Sequence, residues 1–193
     1  MTSNRIREVS LAIFAKNGYE GSSLADISSE VGIKKQSIYT HFKGKDELFL
    51  AVLHDVFLNE LKFVTSYIES HAHHTAEKAL FGFLMAYKDR YEENDNTKFW
   101  LRMSFFPPSH LYEQVMKYVY DNLDKMESLF APIMEKAASE GSISPSVGAE
   151  RATVAFMGIL DGVFVEMLYG GPGRLMKRID ASWYLYWRGV SKE

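Results

Sequence analysis

Apolar residues recur at helical spacing along almost the whole chain, and no stretch sustains the alternation of a half-buried strand. Ile6, Val9, Ile13 and Phe14 follow the i, i+3, i+7, i+8 pattern of one helix face, and Asn17-Gly18 stops that helix with a glycine cap. Ser22 or Ser23 caps a second helix whose inner face is Leu24, Ile27, Ser28 and Val31, and Gly32 ends it. A third short helix is predicted from Lys34 or Lys35 to about His41, with Ile38 and Phe42 buried. Gly44 breaks the chain before Lys45-Asp46-Glu47-Leu48 opens a long helix to about Ser70. The acids of that helix sit in its first turn, where the helix dipole favours them.

Further helices are predicted at roughly 75–94, 97–106, 109–140, 147–169 and 174–189. The breaks between them are His71–His74, Asn94–Asn96, Pro107-Pro108, Gly141–Pro145 and Gly170–Gly173. Pro132 lies inside the 109–140 stretch, where it removes one backbone donor and is expected to kink the helix. The pattern predicts an all-α protein of about nine helices. A three-helix, helix-turn-helix module occupies 1–48, and a larger helical domain for ligand sensing and dimerisation occupies 49–193.

Composition narrows this picture. Apolar residues make up 47% of the 193 positions, ample for a packed core. No cysteine is present, so a disulfide scaffold, a zinc ribbon and thiol catalysis are excluded. The first residues lack a secretory apolar region, and the longest apolar stretch, Val154 to Tyr169, is interrupted by Asp161 and Glu166. The expectation is a cytoplasmic protein with no membrane partner. The net charge of −3 at first argues against nucleic acid, but the charge is unevenly spread. Residues 1–48 hold seven Lys and Arg against six acids, for +1, and the remainder holds 15 against 19, for −4. Lys34–Lys45 carries four lysines and no acid, and local charge makes the electrostatic footprint.

In a helix-turn-helix unit the second helix braces the third across the major groove, and the first residues of the third reach base edges. Here those residues are Lys34, Lys35, Gln36 and Ser37, followed by Thr40 and His41. Gln pairs bidentately with adenine and Lys with guanine, so the set suits base reading. The segment from Gly18 to Leu48, GYEGSSLADISSEVGIKKQSIYTHFKGKDEL, closely resembles the signature of the TetR family of transcriptional regulators. The likeness spans about thirty residues and includes the spacing of Ile-Tyr-x-His-Phe-x-x-Lys-Asp-x-Leu. It implies that Tyr39 and Lys45 hold phosphates, with Ser22 or Ser23 doing the same at the start of the second helix. It further implies that Lys34, Lys35, Gln36, Ser37, Thr40 and His41 face the groove. A homodimer, a helical ligand domain and release from DNA by ligand are implied as well. Ser28 and Val31 depart from the small residues frequent in the family, and Lys34 replaces a frequent Ser or Thr cap.

Two aromatic stretches compete as the lining of a ligand pocket. One is Phe99 to Phe106 with Tyr112, Met116 and Tyr120, from which Trp100, Met103, Phe105, Phe106, Tyr112, Met116 and Tyr120 are nominated. The other is Phe156, Leu160 and Phe164, with Asp161 embedded among them. Packing in the core is the competing role for each of these residues. His71, His73 and His74 sit in a connector without a matching acid or Cys cluster, so no metal or other cofactor is expected. Ala155, Gly158 and Gly162 are small residues near one side of the 147–169 helix, and Trp183 to Trp187 is a dense aromatic run. Together they predict a homodimer through the two C-terminal helices.

The reading is a repressor that leaves a palindromic DNA operator when a small hydrophobic or aromatic ligand binds. The alternative is a nucleoid-associated structural protein on the same fold. No nucleophile–base pair or phosphate-cradling loop is seen, and Gly170–Gly173 lacks the context of a P-loop, so an enzyme is not expected.

Overall fold

The computed structural model describes residues 3–192, and its elements follow the predicted order. They are α1 (Ser3–Asn17), α2 (Leu24–Val31), α3 (Lys35–Ile38), α4 (Lys45–Ser70), α5 (Ala76–Glu93), α6 (Asp95–Phe105), a 3-10 turn (Ser109–Leu111), α7 (Tyr112–Ser139), α8 (Ala149–Tyr169) and α9 (Pro172–Val190). The expected all-α class is correct. The third helix is shorter than predicted: it has four residues, and Tyr39 to His41 continue as turns. α7 runs unbroken through Pro132, so the proline interrupts the ladder without ending the helix.

Local chemistry explains the sharpest boundaries. Ser23, not Ser22, caps α2: its hydroxyl accepts from the Asp26 N–H while the Asp26 carboxylate accepts from the Ser23 N–H. Gly32 closes the same helix in the left-handed conformation at φ 77°. Its N–H donates to the Ser29 carbonyl at 3.1 Å, and the Ile33 N–H donates to the Ser28 carbonyl at 2.9 Å. That paired closure satisfies carbonyls which would otherwise be orphaned.

The chain divides into two compact units. The first unit holds residues 1–60 and 93–122, and the second holds 61–92 and 123–193. Thus α6 and the start of α7 belong with the helix-turn-helix. The reason is visible in the core of the first unit. Phe99 of α6 stands 5.6 Å from the Phe49 ring, and Phe49 in turn meets Phe14 edge-on at 5.3 Å. Nearby, the buried Glu60 carboxylate accepts from Asn96 Nδ2 at 2.8 Å and from Thr97 Oγ1 at 2.9 Å, which pins the start of α6. A buried carboxylate requires such partners.

The second unit is built around a chain of rings. Phe83 lies 4.8 Å from Phe130, Phe130 lies 5.1 Å from Phe156, and Tyr87 lies 4.8 Å from Phe164. The Tyr186 hydroxyl donates to the Ala152 carbonyl at 2.7 Å, tying α9 to α8. Helix α8 is long and apolar enough to cross a membrane by length and composition. Half of that stretch is buried inside the protein, as in the core helix of a globular domain.

Two glycines test the backbone logic. Gly18 has φ 72°, and a Cβ there would stand 3.1–3.3 Å from the Arg102 guanidinium; Gly32 has a similar φ and open space around it. Gly32→Ala should destabilise by about 1–2 kcal/mol, the left-handed penalty alone. Gly18→Ala should lose more, because Arg102 must also yield. Urea unfolding of both variants checks this, and equal losses would contradict it.

Candidate nucleic-acid interface

Helix α3 has too few residues to be stable alone, so its geometry is imposed by packing. Ile38 is fully buried and Phe42 nearly so, and together they press α3 against the module. The opposite face is therefore free. Lys34, Lys35, Gln36, Thr40 and His41 are exposed, Ser37 is half-buried, and Tyr39 is 51% exposed at the C-terminal end of the helix. Lys34 has an extended backbone and caps α3 without a side-chain hydrogen bond. The Thr40 hydroxyl donates to the Ser37 carbonyl at 2.7 Å and stiffens the turn that follows. One small surface thus presents two ammonium groups, an amide, a phenol and an imidazole, a set able to contact both phosphates and base edges.

Two of the nominated phosphate contacts are used inside the protein instead. The Ser22 hydroxyl is buried and donates to the Gly18 carbonyl at 2.6 Å, so its side chain is withdrawn from the surface. Lys45 Nζ donates to the Tyr19 and Ser22 carbonyls at 2.9 and 3.0 Å and sits 3.8 Å above the Tyr19 ring. It fastens the α1–α2 loop to the start of α4. Ser23 remains half-exposed, with its hydroxyl engaged in the cap of α2.

A polar cluster that sequence reasoning missed surrounds this fastening. The Tyr19 hydroxyl donates to the Asp46 carboxylate, and His110 Nε2 lies 3.4 Å from the same carboxylate oxygen. The His110 ring also packs 5.0 Å from the Tyr19 ring. The Tyr19 hydrogen bond, with the neighbouring His110 and Lys45, holds the Asp46 carboxyl below its ordinary value. Burial and Asp46 push the Tyr19 hydroxyl well up, so it stays protonated as a donor. A second tie joins Arg102 of α6, whose Nη1 donates to the Lys16 carbonyl at 3.2 Å at the end of α1. No spacing rule could have paired residues so distant in the chain, although the Asp46 and Lys45 positions were singled out.

The nominated ligand residues divide differently from the expectation. Trp100 and Met103 are buried in the first unit, with Trp100 6.3 Å from Phe57, whereas Phe105, Phe106, Tyr112 and Tyr120 are exposed and Met116 is half-buried. In the second unit Phe156, Leu160 and Phe164 are core residues, and Asp161 is exposed on the other side of α8. Among the described residues no group of three or more His, Asp or Glu side chains is arranged to hold a metal ion.

Comparison with known proteins agrees with this geometry. Residues 6–52 match the sequence profile of the bacterial regulatory proteins of the tetR family. Over its whole length the chain is 24% identical to the helix-turn-helix transcriptional regulator YvkB of Bacillus subtilis, with 98% of that protein covered. The helix-turn-helix segment of this chain is thus similar to that of the tetR family. A second relative is IcaR of Staphylococcus epidermidis, the negative transcriptional regulator of the biofilm operon icaADBC. It is 25% identical over 63% of this chain and 67% of its own length. The fold also matches a solved TetR-family regulator from Agrobacterium tumefaciens, with a TM-score of 0.77 and 16% identity over 98% of this chain and 97% of that one.

The Tyr19–Asp46 pair gives a stability test with a defined sign. A carboxyl held low in the folded state adds stability above the ordinary carboxylate value, and that contribution is lost as the pH falls through the lowered one. Tyr19→Phe should therefore lose about 1 kcal/mol at neutral pH. The gap to wild type should begin to narrow below about pH 4, where the unfolded chain's carboxyl takes up its proton, and close as the pH falls through the lowered Asp46 value. Urea midpoints at pH 7 and at lower pH measure both; a gap that stays constant with pH would count against the pair.

Proposed function

We propose that this chain is a TetR-family regulator, a homodimeric repressor that binds a palindromic operator through α3 and leaves it when a small-molecule effector occupies the C-terminal helices. The observation that carries the DNA reading is the one-sided exposure of α3. Its buried residues are apolar, and its exposed ones are Lys35 and Gln36 with Lys34 at the cap. Lys34, Lys35, Gln36, Ser37, Thr40 and His41 face the groove, and Tyr39 and Ser23 approach phosphates. In this reading the Lys45 and Asp46 cluster positions the module rather than contacting DNA.

Dimerisation is supported by an apolar face left open on α8 and α9. Val154, Val165 and Leu185 are exposed there, Leu185 at 70%. Beside them Gly158 and Gly162 have nothing within 4 Å of where a Cβ would stand, so a partner helix could approach closely. Glu166 edges the same face and pairs with Arg174 at 2.8 Å and Arg178 at 3.4 Å. The aromatic run on α9 splits between two tasks. Trp183 and Tyr186 pack inward, whereas Tyr184 and Leu185 point outward, so only the latter serve the interface.

The alternative, a structural DNA-binding protein without an effector, differs in the sites it occupies. Genome-wide footprinting would give one or two palindromes near a promoter for a repressor and many dispersed sites for the alternative.

Substitutions on α3 separate affinity from sequence choice. Gln36→Ala should relax the preference at one base position by about 1–3 kcal/mol, as an adenine-pairing residue would. Lys35→Ala should weaken every duplex similarly and reduce the salt slope by about 1 if it holds a phosphate. Anisotropy titrations on a selected operator and on random duplex check both. For the interface, Leu185→Glu should turn the dimer into a monomer by sedimentation; a dimer that persists unchanged would move the interface elsewhere.

A further inference from the structure

A cleft of about 220 Å³ opens in the second unit between the end of α4, the turn at 71–74 and the C-terminal half of α7. Its floor is apolar, made by Ile68, Ala79, Ile133 and Ala137. Its rim is basic, with His71, His74 and Lys136. Two further bases stand behind the rim: the His73 ring is 4.2 Å from that of His74, and Lys78 acts on His74 as a neighbouring charge. Glu140 is the one acid at the rim, 3.9 Å from Lys136.

The imidazoles are arranged for one purpose. His71 stacks on Tyr67 at 4.0 Å, and its Nδ1–H donates to the Tyr67 carbonyl at 2.8 Å. Nδ1 is also 2.9 Å from the Ser70 hydroxyl, so both of its neighbours are in the protein and Nε2 is the ring nitrogen left to meet a ligand. The His74 ring lies 5.2 Å from that of His71, so the two sit side by side at the mouth. Desolvation, followed by the surrounding His73, His71 and Lys78, holds the His74 imidazole below its ordinary value. An anion entering the mouth relieves that mutual repulsion. A purely inorganic anion leaves the apolar floor unused, and a neutral apolar molecule leaves the bases unpaired.

We infer that this cleft binds a small amphipathic carboxylate, its short apolar tail on Ile68, Ala79, Ile133 and Ala137 and its carboxylate between His71, His74 and Lys136. The cleft lies below the about 300 Å³ at which pockets for drug-sized ligands begin, which favours a single short chain over a polycycle. The inference rests on the regulator reading only in making this compound the effector; the binding itself does not depend on DNA.

The test is calorimetric titration of the full-length protein, in buffer containing a chelator, with octanoate, octanol and octylamine. Octanoate should bind at least ten-fold more tightly than either analogue, the difference expected from charge-assisted hydrogen bonds. A His71→Gln/His74→Gln double variant should lose about ten-fold or more while keeping its circular dichroism and melting temperature. Because the His74 imidazole is held below its ordinary value of about 6.5, binding should be tightest in mildly acid buffer and weaken as the pH rises toward neutrality. The groups that set this dependence are Tyr67 on α4, His71, His73 and His74 in the turn, Lys78 on α5, and Lys136 and Glu140 on α7. Should the double variant unfold, Ala76→Phe fills the cleft from α5 and must abolish octanoate binding. Octanol binding as tightly as octanoate, no heat with octanoate at any accessible concentration, or unchanged affinity in the folded variants would overturn the inference. A separate anisotropy titration on operator DNA reads the regulator hypothesis, so failure of one is distinguishable from failure of the other.

Discussion

A helix of four residues has no stability of its own, and the burial of Ile38 and Phe42 supplies what it lacks. Those two side chains decide which way Lys35 and Gln36 face. Everything about nucleic-acid recognition in this chain follows from that constraint. The brace around it is layered: the Ser23–Asp26 capping box fixes the start of α2, the Gly32 closure fixes its end, and Lys45 fastens the preceding loop to α4. Rigid presentation matters because base contacts reward only side chains held in register.

The first unit extends beyond the helix-turn-helix. Phe99 enters the module's aromatic core, Arg102 bonds to the end of α1, and His110 approaches Asp46 at the start of α4. The sensor-side helix α6 is therefore packed into the DNA-binding unit itself. Packed cores of this kind switch between discrete arrangements more readily than they bend.

Much of this was legible in the sequence. The helical period marked every α-helix, and glycine and proline punctuation placed most ends within a few residues. The motif around Ile38-Tyr39-x-His41-Phe42 marked the exposed face of α3. What escaped has a physical reason. Ser22 and Ser23 are identical as cap candidates, and only the fold turns Ser22 inward toward Gly18. Tyr19, Asp46 and His110 meet through tertiary packing that no local period encodes. The ligand nominations mixed core with surface because an aromatic on an amphipathic helix reads the same whether it fills a core or lines a pocket. Phe156 and Phe164 proved to be core, and Phe106 and Tyr120 surface. The same ambiguity hid the split of the α9 aromatics between Trp183 facing in and Tyr184 facing out.

Two α3 helices related by a twofold axis must enter successive major grooves if the account is right. Hydroxyl-radical footprinting of the purified protein on a DNA selected from random sequence tests this most directly. The account predicts two symmetric protected patches about 34–36 Å apart along the duplex, which fade together as salt is raised. A single unsymmetric patch, or protection spread evenly without regard to sequence, would contradict it.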